Sequence, residues 1–316
     1  MKWIFTHGDT DGVAAAALAK VVYKDAKVFF THPHGLFHDL LANVNVNDNL
    51  IILDIALDER LWKDTVNFLS SIKGEVLYID HHPLPEQFQQ PSFEFIHKVG
   101  VSTSELIYKY FRHVLPREYS RVALFGAVGD YSDETDYIKS LYNLWDKRLI
   151  YFEAGILCQG LEASKRMYDF KRKLVDLLAN NELPSQIEDL VKRAIKMSYI
   201  EDEMRKKIKE SIHRLENLSY VIEPGGSLGR AARYVYVEGD TIVGIAVEFK
   251  NNTAIMSIRR RKEYVQIDLN KLLRKICIQY GGSGGGHLDA AGARIPKDNL
   301  NDFLVAFDQE IAKAKF

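Results

Sequence analysis

Five short apolar runs, K-W-I-F-T, K-V-F-F-T, N-L-I-I-L, E-V-L-Y-I and S-F-E-F-I-H, punctuate the first hundred residues. They occupy Lys2–Thr6, Lys27–Thr31, Asn49–Leu53, Glu75–Ile79 and Ser92–His97. Each is too short for a helix and rich in β-branched or aromatic side chains, which predicts strands. Helix-like pieces such as Gly12–Lys24 and Leu57–Ile72 lie between them, and further helices are expected at Ser104–Leu115, Glu118–Val128 and Leu141–Leu161. Strands that alternate with helices predict an α/β fold, a parallel sheet with helices on both faces.

The rest of the chain divides by character. From about Arg166 to Asn217 it is charged and helical in period, as in E-D-E-M-R-K-K-I-K-E-S-I-H-R-L-E-N. After Gly225-Gly226 strand-like runs return at Ala232–Val237, Thr241–Phe249 and Thr253–Arg259, followed by a helix at Leu269–Tyr280 and a last strand and helix. The expected organisation is an α/β catalytic domain over residues 1–175, a helical connector over 176–217 and a smaller α+β domain over 218–316. The active site is expected in the cleft between the two domains. With 316 residues, of which 47% are hydrophobic, the chain can bury a sizeable core.

Acids and histidines stand where the strands stop. His7, Asp9 and Asp11 alternate in H-G-D-T-D-G after the first strand, and Asp54 closes I-I-L-D. Asp80, His81 and His82 end the fourth run in Y-I-D-H-H, and Asp130 follows an apolar helix in A-V-G-D-Y-S-D. Ligands of open parallel sheets bind beyond the carboxyl ends of the strands, so three strands deliver these groups to one edge. So many carboxylates raise each other's pKa unless a cation lies among them. Carboxylate and imidazole donors without thiolate suit two divalent ions, Mn²⁺ first, with Mg²⁺ or Co²⁺ as substitutes. His32 and His34 in T-H-P-H-G are weaker candidates, and His38, His97, His113 and His213 read as structural or surface residues.

A second signal is Y-G-G-S-G-G-G-H-L-D-A-A-G at Tyr280–Gly292. Its glycines permit close backbone approach and amides aimed at an anion, and His287 can donate to a phosphate. Arg259, Arg260 and Arg261 end the preceding strand, and a guanidinium there suits bidentate phosphate recognition.

The formal net charge of -1 excludes a global positive field for nucleic acid, so such binding needs a local patch. The two cysteines, Cys158 and Cys277, read as buried reduced thiols. Polar residues arrive too early for a signal peptide and no apolar run spans a bilayer. A cytoplasmic protein without membrane association is expected.

These motifs together resemble the DHH phosphoesterase family, named for the triplet present here as Asp80-His81-His82. G-G-G-H-L-D-A-A-G resembles the DHH-associated second domain found in RecJ-like nucleases and nanoRNases. The resemblance covers both domains and implies site roles. His7, Asp9 and the shared Asp54 would hold a first metal, and Asp11, Asp54, His81 and Asp130 a second. Asp80 would orient His81, and His82 would contact the scissile phosphate. Arg259, Gly285, Gly286 and His287 would hold the substrate's terminal phosphate or base, and Asp133 in D-Y-S-D offers a second carboxylate beside Asp130.

The implied activity is Mn²⁺-dependent exonuclease hydrolysis of short or single-stranded RNA or DNA. The alternatives are a small-nucleotide phosphatase or cyclic-dinucleotide phosphodiesterase, and a non-catalytic replication or repair adaptor. The expected partners are single-stranded nucleic acid or short oligonucleotides, with a homodimer and a docked helicase or replisome partner left open. No appended OB-fold is expected, which would favour short substrates or attack near a strand end.

Overall fold

The computed structural model describes residues 1–85 and 87–314. The chain forms two compact units, Met1–Met197 and Ser198–Phe316. In the first unit the elements are β1 (Lys2–Thr6), α1 (Thr10–Val22), β2 (Lys27–Phe30), α2 (Leu36–Asn43), β3 (Asn49–Leu53), α3 (Trp62–Ser71), β4 (Val76–Asp80) and β5 (Glu94–His97). Helices α4 (Thr103–Tyr110), α5 (Ser120–Gly129), α6 (Asp136–Tyr142), α7 (Lys147–Ser164) and α8 (Tyr168–Ala179) follow, and α9 (Glu188–Ser211) begins in the first unit and ends in the second. The strands pair in the order β2-β1-β3-β4-β5, and every pairing is parallel.

The expected fold class is what the structure shows, and the reason lies in alternation along each strand. On β3, Ile51 and Leu53 face a core of Val13, Leu18, Ile107, Phe125 and Leu174 from the long helices. Leu50 and Ile52 face the opposite core, with Leu36, Leu40 and Leu69 from α2 and α3. A strand buried on both faces reads as a continuous apolar run because neither side meets water. All five expected strands are present, with ends shifted by up to two residues. Leu141–Leu161 is not one helix: α6 ends at Tyr142, and Asp146 caps a new helix by accepting from the Arg148 amide. Helix α2 was not expected.

The second unit contains β6 (His213–Arg214), β7 (Leu218–Ile222), α10 (Leu228–Gly239), β8 (Val243–Lys250), β9 (Thr253–Arg260), α11 (Leu269–Gln279), β10 (Ser283–Gly286), β11 (Ala290–Pro296) and α12 (Leu300–Ala314). Its mixed sheet has the order β10-β11-β9-β8-β7-β6. One expectation fails here: Ala232–Val237, read as a strand, lies inside α10. The buried residues Ala231, Ala232, Val235 and Gly239 recur at helical spacing, and they pack on Val221 and Ala246 of the sheet. The β-branched and aromatic residues suggested a strand, but the spacing of the buried positions decided the outcome.

Helices α4 and α5 pack closely enough to demand glycine. A Cβ on Gly126 would lie 2.2 Å from Ser104 Oγ and 2.8 Å from Asp11 Oδ1. Gly126→Ala should therefore cost about 1–3 kcal/mol and displace the Asp11 carboxylate. A lowered urea midpoint would show the cost, and an unchanged midpoint would contradict this packing.

Candidate metal centre

The loop after β1 is built around a turn that brings alternating side chains together. Asp9 caps α1, its Oδ1 accepting from the Gly12 amide at 3.0 Å, while Oδ2 lies 2.8 Å from His7 Nδ1. The Asp9 charge raises the His7 pKa, although burial opposes this. A Cβ on Gly12 would sit 2.4 Å from the His7 carbonyl oxygen and 3.0 Å from Asp54 Oδ2, so this approach to β3 requires glycine. Asp11 is buried in the first turn of α1. It accepts from the amides of Thr103 at 2.6 Å and Ser104 at 2.9 Å, which open α4. A carboxylate is favoured at that helix N-terminus.

Asp54 ends β3 with φ 57, a left-handed conformation that aspartate tolerates better than most residues. It is 2% exposed. Thr103 Oγ1 donates to its Oδ1 at 3.3 Å, and His81 Nε2 lies 3.3 Å from the same oxygen. The other face of His81 points at Asp130, with Nδ1 3.6 Å from Oδ2. Asp130 caps the C-terminus of α5 and accepts from Ser132 Oγ at 2.8 Å.

Asp80 does not orient His81. It accepts from the His82 amide at 3.2 Å, and its Oδ1 lies 2.8 Å from His82 Nδ1. The turn after β4 brings the second histidine of the triplet back over the aspartate, while His81 extends between Asp54 and Asp130. Burial lowers the His82 pKa, but the Asp80 hydrogen bond and the charges of Asp80, Asp9 and Asp130 outweigh it, so the net direction is upward.

Three groups of donor atoms fall close enough to hold an ion: His7, Asp9 and Asp54; Asp54, His81 and His82; and Asp11, His81 and Asp130. Within each, the atoms lie within 4.8 Å of one another. Asp54 Oδ2 is buried without any hydrogen-bond partner, an oxygen that costs free energy unless something binds it. Burial, then the charges of Asp9, Asp11 and Asp80, push the Asp54 pKa well up. Burial also raises Asp11, and burial with the Asp11 charge pushes Asp130 up to about 6. Mutually repelling carboxylates with an orphaned oxygen at their centre fit a divalent cation, and the donor chemistry suits Mn²⁺ or Mg²⁺.

Other candidates fall elsewhere. Asp133 accepts from Tyr142 at 3.2 Å and Tyr151 at 3.0 Å and joins no group of potential ligands among the described residues. His34 pairs with Asp58, and His97 donates to the His82 carbonyl at 2.6 Å.

In the second unit the glycine run forms the edge strand β10. The Gly286 amide donates to Asn270 Oδ1 at 3.1 Å, and the His287 amide to the Ala290 carbonyl at 2.8 Å. Gly284 allows Cys277 to pack, since a Cβ there would meet Cys277 Sγ at 2.7 Å. Of the arginines, Arg260 is buried among backbone carbonyls, and Arg261 bonds the Tyr236 and Thr241 carbonyls near the end of α10. Arg259 contacts Ser257 Oγ at 3.2 Å and lies close to Gly229.

Sequence reasoning missed Lys171, Thr103 and Ser104. Lys171, on α8, is buried and donates from Nζ to the Gly8 carbonyl, between His7 and Asp9. Its only sequence setting was a charged helix, which gave no sign of burial. Thr103 and Ser104 were readable in S-T-S-E, where Ser102 caps α4 and accepts from the Glu105 amide at 3.1 Å.

The chain matches the DHH family N-terminal domain over residues 2–139 and the DHHA1 domain over residues 219–313. It thus carries a DHH N-terminal domain followed by a DHHA1 domain. A relative, the uncharacterized protein MJ0988 of Methanocaldococcus jannaschii, is 29% identical over 283 residues, which are 85% of this chain and 77% of that protein. Among solved structures, the pGpG-specific phosphodiesterase PggH of Vibrio cholerae superposes with a TM-score of 0.65 at 16% identity, covering 99% of this chain and 100% of that one. RecJ of Thermus thermophilus, solved in complex with Mn²⁺, gives a TM-score of 0.70 at 14% identity, covering 99% of this chain and 52% of RecJ. These likenesses establish a RecJ-like DHH fold. Among the described residues no helix is long and apolar enough to cross a membrane.

The raised carboxylates set the pH dependence of the metal-free protein. Folding favours protonated Asp130, so its contribution is full below its ordinary value of 3.8 and is lost as pH rises through about 6. Asp11 and Asp54 shift in the same direction. In chelator the protein should melt at a lower temperature at pH about 7.5 than at pH about 5.5, and Mn²⁺ should reverse the loss. Asp54→Asn should raise the metal-free melting temperature at the higher pH and abolish the response to Mn²⁺. Calorimetry with and without metal checks both.

Proposed function

We propose that this protein is a two-metal phosphodiesterase that removes nucleotides from the ends of short or single-stranded RNA or DNA. The observation that carries the reading is the pair of ligand groups joined by the 3.3 Å approach of Asp54 and His81. In this reading His7, Asp9 and Asp54 hold one divalent ion, and Asp11, Asp54, His81 and Asp130 hold the other. Mn²⁺ is the proposed ion, in keeping with the donor set and with the RecJ structure that contains it. The bound ions supply Lewis acidity at the phosphoryl group and water of lowered pKa.

The protein's own groups hold and move protons. Asp80 fixes the His82 ring through Nδ1, and the raised pKa favours the imidazolium. Such a group can donate to a phosphoryl oxygen and return a proton to the departing sugar oxygen. In the second unit, Arg259, Gly285, Gly286 and His287 are proposed to hold the terminal phosphate or base. In this reading the Arg259 guanidinium and the His287 ring make the contacts, with the glycines leaving room for the ligand. A short substrate is in keeping with the likeness to PggH, a pGpG-specific phosphodiesterase.

End-labelled RNA and DNA ladders, from dinucleotide upward, should shorten stepwise with Mn²⁺. Asp9→Ala and His81→Ala should each lower kcat by on the order of 10³-fold or more while the fold persists. Full hydrolysis by either variant would sink the reading. Inertness toward every strand, with turnover of an adenosine bisphosphate or a cyclic dinucleotide, would transfer the site to small nucleotides.

A further inference from the structure

A guanidinium packed on the start of α8 has almost nothing to bond. Besides Asp54 Oδ2, the buried side-chain polar atom without a hydrogen-bond partner among the described residues is Nε of Arg193, on α9. Around it stand a thioether and a ring: Nη1 donates to Met167 Sδ at 3.2 Å, and Cζ lies 4.7 Å from the Phe170 ring centroid. A thioether is a weak acceptor, and an unpaired buried N–H costs free energy. An apolar side chain of the same length would pack on Phe170 without that cost, so packing alone does not account for arginine here. Arginine does suit a phosphate, whose oxygens its planar fork meets two at a time. Met167 is 45% exposed, so the side chain beside the fork can yield to a ligand.

The same part of α8 reaches the candidate metal centre. Lys171 Nζ bonds the Gly8 carbonyl, between His7 and Asp9. Tyr168 stands one turn earlier on that helix face, and its ring stacks on Phe30, with centroids 5.9 Å apart and planes at 14°. Phe30 in turn lies against the ligand loop, since a Cβ on Gly8 would be 3.8 Å from Phe30 Cδ1. Phe30 is buried and backs the Tyr168 ring, while Tyr168 itself is 36% exposed. An aromatic ring supported from behind and still exposed offers a π surface to any nucleobase.

We propose that the start of α8 is a nucleotide subsite: Tyr168 stacks the base next to the scissile phosphate, and Arg193 grips the following backbone phosphate. The proposal rests on the phosphodiesterase reading above and deepens it, because the preferred substrate is then a strand with a backbone phosphate beyond the one cleaved. Tyr168 and Arg193 determine specificity in it and take no part in bond cleavage.

Trinucleotides modified at one point supply the test, with Mn²⁺ present. Replacing the uncleaved backbone phosphate by an uncharged methylphosphonate should raise the wild-type KM by about 30-fold with little change in kcat. The same replacement should cost Arg193→Met nothing further. Making the middle nucleotide, which lies between the two phosphates, abasic should raise the wild-type KM by about 10-fold and cost Tyr168→Leu nothing further. Tyr168→Phe should keep the wild-type KM. Arg193→Met should keep or raise the melting temperature, because it removes an orphaned donor and retains the packing on Phe170. A lower melting temperature with KM unchanged would reduce Arg193 to a tie between α8 and α9 and overturn the proposal. Losses that multiply in either cycle would also overturn it, while the phosphodiesterase reading stands. Failure of the wild type to cleave any strand would sink that reading and the subsite with it.

Discussion

The centre depends on a carboxylate that has no comfortable partner within the protein. Asp54 is buried at the end of β3, in a left-handed conformation, with one oxygen unbonded. Asp9, Asp11 and Asp80 all act on it with the same sign of charge. Folding holds these groups together because β1, β3 and β4 are adjacent parallel strands whose side chains are locked into two apolar cores. The hydrophobic sheet thus holds in place a polar cluster that would disperse if it were free to move. A cation relieves that repulsion, which ties metal affinity to the strength of the scaffold.

Supporting contacts divide the labour among elements distant in sequence. Asp11 joins the start of α1 to the start of α4 through two amides, and Thr103 reaches from α4 to Asp54. Lys171 reaches from α8 to the carbonyl between His7 and Asp9. A buried ammonium is costly unless it is bonded, so its position fixes the backbone of the ligand loop. The matched DHH segment ends at residue 139, so the Lys171 contact comes from a helix beyond it.

In the second unit the glycines serve packing first. They let α11 lie against an edge strand, while Arg260 and Arg261 secure the backbone. Adjacent arginines therefore have different roles because strand alternation sends them to different environments.

The α/β class and the positions of His7, Asp9, Asp11, Asp54, His81 and Asp130 were legible in the sequence. Two-sided burial writes strands as short apolar runs, and residues at their carboxyl ends necessarily gather at one edge. The orientation of the triplet was not legible: which histidine faces Asp80 depends on the turn after β4. Nor was the helical state of Ala232–Val237, where packing on Val221 and Ala246 overrode β propensity. Lys171 lay hidden in a charged helix. Local composition and periodicity determined the elements and the donor atoms, because each is set by neighbours along the chain. The tertiary structure alone decided which oxygen is orphaned, which ring is held and which cation is buried, because those depend on groups brought together from distant parts of the sequence.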